Sequence, residues 1–218
     1  MNHKTRFHEI QRRINELDED RIHLFHFSYD FNLHNVRKSP LMIVTRLFDL
    51  VTGSRATIET EAKNGEIEKE KRSIDHVCHI SRFIKDGDDK IAKIFEASLL
   101  NGMEQNDLRD KLENLRGCKV FIETLGKVDK EAARRFENQY LGIPYSKKAA
   151  AFAGIDIHWI QQLFDLNKTA GRFCSWLIVK FLRESQMMFV KTLSTAIEAT
   201  PVDVWKAEIG IKKLYYVG

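Results

Sequence analysis

The sequence predicts a mainly α fold: a multi-helix, bundle-like domain with a small two-stranded sheet joining the chain ends. Three observations carry that expectation. Apolar residues recur at spacings of three and four along most of the chain, the period of one buried helix face. The runs are separated at Asp86-Gly87, at Asn101-Gly102, and at Gly142 with Pro144, which are residues that stop helices. Strict alternation is confined to Phe25–Leu33 and, in part, to Ala207–Val217, and these two stretches form the expected sheet.

Taken in order, residues 5–24 place Phe7, Ile10, Ile14 and Leu17 on one stripe and predict an amphipathic helix. Phe25, Phe27, Tyr29, Phe31 and Leu33 alternate with polar residues and predict a half-buried strand. Ser39-Pro40 is a cap followed by a first-turn proline, so a helix is expected to follow through Val51. Residues 55–72 are rich in Glu and Lys and are expected to be a solvated helix or linker. The chain therefore divides into an N-terminal helix–strand–helix segment (1–54), this linker (55–72) and a helical domain (73–218). Within the last, helices are expected at 73–85, 88–101 and 106–125, the third capped by Asp107. A further helix should run from Asp129 to Leu141, and a long one over 169–199. The latter is apolar on several sides, as a central or dimerising helix would be, and Pro201 is expected to end it.

Composition sets the class. With 218 residues, 43% hydrophobic and 30% charged, the chain has material for one ample core. Its net charge of +4 is mildly basic, compatible with a nucleic-acid partner. Three dispersed cysteines, Cys78, Cys118 and Cys174, imply free thiols and a reducing cytoplasm. The polar N-terminus lacks a signal-peptide core, and the apolar run Phe173–Leu182 is interrupted by Lys180 and far short of the ~20 residues of a span. No membrane association is expected.

Residues 146–165, SKKAAAFAGIDIHWIQQLFD, have the spacing of a helix-turn-helix. Ala150 is small where two helices cross, Gly154 turns the chain, and Ile160 faces back into the corner. Ser146 and Asp156 can cap the two helices. The segment resembles the helix-turn-helix families of DNA-binding proteins. That resemblance implies a transcriptional regulator that binds double-stranded DNA, with helix 156–165 in the major groove. It also implies that His158, Gln161 and Gln162 face the bases, Gln being suited to adenine. Lys147, Lys148, Lys168 and Arg172 would take phosphates, and a homodimer through 169–199 would match a two-fold operator. This reading needs no cofactor, no metal and no catalytic residue.

Other constellations point elsewhere. Arg21 with His26, and Arg72 with His79, are similar to the Arg-x4–6-His motif of the HEPN superfamily. The alternative this implies is an all-helical RNA-cleaving toxin, in which Arg binds phosphate and His moves the proton. A helical adaptor with no nucleic-acid role would instead present Trp159 and the aromatics of 25–33 to a partner. His23, His26, His76 and His79 form two close pairs, with Cys78 inside the second, and a structural metal would require both pairs to converge. Asp86, Asp88 and Asp89 lack calcium-loop spacing and are expected to be a solvated turn. No phosphate-binding glycine loop or common hydrolase motif is present.

Overall fold

The structure, a computed structural model, describes residues 3–32, 36–37, 43, 46, 55–61, 67–98, 100–113, 117–127, 129–146, 150, 173–184, 200–207 and 211–217. Its centre is an antiparallel sheet, so the mainly α expectation is overturned. Helix α1 spans His3–Glu16 and is followed by strand β1 (Arg21–Tyr29), a hairpin β2 (Ala56–Glu61) and β3 (Ile67–Arg72), then β4 (His76–Asp86), β5 (Asp89–Ser98) and β6 (Gly102–Asp107). Next come α2 (Leu108–Glu113), β7 (Cys118–Lys127), α3 (Lys130–Tyr140), α4 (Cys174–Glu184), α5 (Pro201–Lys206) and β8 (Ile211–Val217).

Six strands form the main sheet in the order β6-β5-β4-β1-β7-β8, and β2-β3 pair separately. The stretches expected as helices at 73–85 and 88–101 are the hairpin β4–β5, and the break at Asp86-Gly87 is its turn, with Gly87 at φ 62°. The expected third helix, 106–125, is short helix α2 followed by strand β7; Asp107 does cap α2, accepting from the Arg109 N–H at 3.0 Å. The charged stretch 55–72 is the β2–β3 hairpin. Strand β8 adds to the sheet beside β7, with Thr124 opposite Ile211, while β1 lies between β4 and β7. The chain ends therefore share a six-stranded sheet, and the proposed pairing of 25–33 with the tail does not occur.

The error has a physical cause. Strand β4 is buried on both faces along Val77–His79, and sheets covered on both sides lose the in–out alternation that marks a strand. One face carries Phe25, Phe27, Cys78, Ala92, Ile94, Val120 and Ile122, packed with Ile10 and Ile14 of α1 and with Leu108 and Leu112 of α2. The other carries Leu24, Val77, Phe95 and Leu125 against Phe136 of α3, Leu177 and Phe181 of α4, and Val204 of α5. Leu177, Ile178, Val179 and Leu182 are fully buried; truncating one to Ala costs about 2–5 kcal/mol.

Helix α3 follows its expected boundaries. The Asp129 side chain accepts from the N–H groups of Glu131 and Ala132, and the helix ends before Gly142 at φ 78°. Helix α4 realises the expected burial of 173–182, but Pro201 begins α5 behind a Thr200–Asp203 capping box. Residues 185–199 lie outside the described residues, as does all of the expected helix 40–51 except Ile43 and Arg46. Among the described residues, no helix is long and apolar enough to cross a membrane.

Candidate active site

Two neighbouring strands bring an imidazole and a carboxylate together on the face of the sheet covered by α1 and α2, and the start of α4 places a thiol on the other face. His76 opens β4 opposite Phe27 of β1. Its Nε2 lies 2.7 Å from Oε2 of Glu96 on β5. Glu96 is 3% exposed, and a buried carboxylate needs compensating donors. Lys111 Nζ from α2 bonds the same oxygen, and Asn106 Nδ2 donates to Oε1 at 2.9 Å. Burial alone would raise the pKa of this carboxyl, but the Lys111 ammonium, with help from His76, more than reverses the effect and holds it well below the usual range.

The same cation acts on the imidazole. Burial, and after it the Lys111 charge, lower the His76 pKa, against the pull of Glu96. His76 is therefore neutral at neutral pH beside an ionised carboxylate. Its Nε2 then carries the proton donated to Glu96, which leaves the Nδ1 lone pair unprotonated. Lys111 also lies 5.2 Å from the centre of the Phe27 ring, and that ring is 5.7 Å from the imidazole. The stack fixes both groups.

Cys174 is the first residue of α4 and packs in the core cluster of the α3–α4 face with Val77 and Leu177. The backbone N–H groups of Val77, Ser175 and Cys174 itself, and the Lys111 charge, favour the ionised form of the sulfur, but burial outweighs them and pushes the thiol up to about 11. Cys78 and Cys118 are free, buried thiols within strands, and burial raises both well above the ordinary value.

Two further His–Glu pairs lie on the opposite face of the sheet and serve to hold it together. His26 Nε2 meets Glu123 Oε2 at 2.8 Å, both side chains fully buried. His79 Nε2 meets Glu137 Oε1 of α3 at 3.0 Å, and Ser81 Oγ and Gln105 Nε2 donate to Glu137 Oε2. The His79 ring lies parallel to Phe181 at 3.9 Å. Phe181 is two turns beyond Cys174 on the same stripe of α4, and His79 is two residues beyond Val77 on the same face of β4. The stacked rings thus set the rotation of α4 that brings Cys174 to Val77.

The residues selected from sequence fall differently. Lys147, Lys148, His158, Gln161, Gln162, Lys168 and Arg172 lie outside the described residues; of the corner at 146–165 only Ser146 and Ala150 are described, joined by one helical hydrogen bond of 3.0 Å. Trp159 is outside as well. Phe25 and Phe27 are fully buried rather than a partner surface. Arg21 donates to the Leu125 carbonyl and Arg72 to Asp30 and Glu70. On strands, residues three or five apart face opposite sides, so Arg21 does not share a face with His26, nor His23 with His26, nor His76 with His79. The all-helical fold implied by the HEPN resemblance is not the one observed. His76 was singled out in the sequence only as half of a histidine pair, and Glu96 and Lys111 were missed, because no spacing in the sequence relates them to it.

Comparison of the chain with protein-family models, with characterised proteins and with solved structures finds no match.

Proposed function

We propose that this protein is a hydrolase in which His76 is the general base and Glu96 orients the imidazole. The observation that carries the reading is the 2.7 Å bond of His76 to a buried, ionised Glu96. This is the arrangement of a base and a group that orients the base.

The chemistry follows from the protonation states. The His76 side chain is 13% exposed, and its unprotonated Nδ1 takes a proton from the water that attacks the carbonyl carbon of an ester or amide. The developing imidazolium is stabilised by Glu96. Collapse of the tetrahedral intermediate expels the leaving group, to which the imidazolium returns the proton.

The test uses p-nitrophenyl acetate as an activated ester. The expected result is continuous release of p-nitrophenol by the unaltered protein that is lost in His76→Ala. Release at the same rate without His76, or none in the unaltered protein, overturns the proposal.

A further inference from the structure

Strand β6 sends two consecutive amide side chains to opposite faces of the sheet, and each meets a carboxylate that a histidine of β4 already holds. Gln105 Nε2 donates at 2.9 Å to Oε2 of Glu137, whose Oε1 is bonded by His79. Asn106 Nδ2 donates at 2.9 Å to Oε1 of Glu96, whose Oε2 is bonded by His76 at 2.7 Å. Successive strand residues point to opposite sides, so amide, carboxylate and imidazole recur once on each face. The two sets differ in access. The His79 side chain is fully buried, whereas that of His76 is partly exposed.

They differ also in redundancy. Glu137 Oε2 has a second donor, the Ser81 hydroxyl at 2.6 Å, so it stays bonded without Gln105. Among the described residues, Asn106 is the one donor to Glu96 Oε1. The last side-chain torsion of a glutamate is broad and two-fold, and a buried carboxylate oxygen without a donor is costly. Without Asn106 the Glu96 carboxylate therefore turns to share Lys111 between its oxygens, and Oε2 leaves the line to His76 Nε2. Asn106 itself is well held. It lies opposite Ile94 of β5, and the next residue, Asp107, accepts from Lys93 Nζ at 3.2 Å and caps α2. One short stretch of chain thus delivers both Asn106 and Lys111 to Glu96.

We infer that Asn106 is a positioning residue of the hydrolysis, holding the Glu96 carboxylate in the plane that directs Oε2 at His76. The inference rests on the proposed hydrolase function. Asn106 neither gives nor takes a proton in the reaction. Its amide fixes Glu96, Glu96 fixes the imidazole, and the imidazole then presents its Nδ1 lone pair in one direction. Gln105 makes the same kind of bond on the other face, to a pair that takes no part in the reaction, and so supplies the internal control.

The experiment compares Asn106→Leu with Gln105→Leu in the full chain, by p-nitrophenyl acetate hydrolysis and by proton NMR of the His76 imidazole. Misplacing a catalytic group by about 1 Å costs up to about 10²-fold in rate. Asn106→Leu should therefore lower kcat by on the order of 10- to 10²-fold with KM unchanged. The His76 Nε2–H resonance, assigned as the one absent from His76→Ala, should move upfield as its bond to Glu96 lengthens. Gln105→Leu should leave both kcat and that resonance unchanged. Asn106→Ala, which removes the amide without adding apolar bulk, should repeat the losses and serves if the Leu variant fails to fold. An unaltered kcat and resonance in the Asn106 variants, or an equal loss of kcat in Gln105→Leu, overturns the inference while sparing the proposed function. Absence of hydrolysis by the unaltered protein overturns both.

Discussion

Replacing Glu96 by Gln separates the charge of the carboxylate from its shape. Both His76 and Lys111 bond Oε2, so the Gln carbonyl oxygen settles there and keeps His76 in the tautomer that leaves Nδ1 free. Asn106 turns its amide to accept from the new NH2 group. What disappears is one negative charge facing an imidazolium in the transition state and an ammonium at all times. For charges about 4 Å apart at an effective dielectric near 20, that interaction is about 4 kcal/mol, which corresponds to an ester-hydrolysis rate about 10³-fold lower.

The same substitution unpairs Lys111. Removing one partner of a buried pair costs about 3–5 kcal/mol. Because 17% of the Lys111 side chain remains exposed, the lower end applies, about 3 kcal/mol. In a chain of this size each kcal/mol moves Tm by about 2–4 °C, so Tm should fall by roughly 6–12 °C. The effect depends on pH with a definite sign. The folded pKa of Glu96 lies below its model value of 4.5, so its stabilisation is complete above that value and is lost as pH falls toward the folded pKa. The Tm gap between the parent protein and Glu96→Gln is then constant at neutral pH and narrows below 4.5. Ester hydrolysis and thermal melts across pH measure both effects. An activity loss under about tenfold together with an unchanged Tm would refute the electrostatic argument.

Two other predictions follow from the same geometry. The acid limb of the hydrolysis rate reports His76, and burial and Lys111 place it below 6.5; Lys111→Met should move the limb to higher pH, and a stationary limb would show that Lys111 does not act on the imidazole. Replacing His79 by Ala removes the partner of Glu137 and the ring under Phe181, so urea unfolding should show a loss of about 3–5 kcal/mol at constant m, and a loss below about 1 kcal/mol would mean that the stacked rings do not clamp α4.

Local signals were sufficient wherever the controlling interactions are local. Asp129 and the Gly142–Pro144 stop bound α3, Asp107 caps α2, and the apolar run after Phe173 is a buried helix, because caps, turns and helical stripes act over a few residues. The alternation of Phe25, Phe27 and Tyr29 gave β1 for the same reason. Other elements were illegible locally. In β4, Val77, Cys78 and His79 are buried in succession, since α1 and α2 cover one side of the sheet and α3 and α4 the other. That double cover erases the period of two, and the remaining apolar spacings imitate a helix.

The candidate site lies further still from local signals. His76, Glu96 and Lys111 belong to β4, β5 and α2, and no spacing rule relates them. The sequence by itself determined which residues could cap, turn and fill a core, and that three thiols and two close histidine pairs exist. Which histidine gains a buried carboxylate and which carboxylate gains a lysine were decided only by the tertiary structure. Strand register and the docking of α2 are the physical reason, because they bring charges from distant parts of the chain within hydrogen-bond reach.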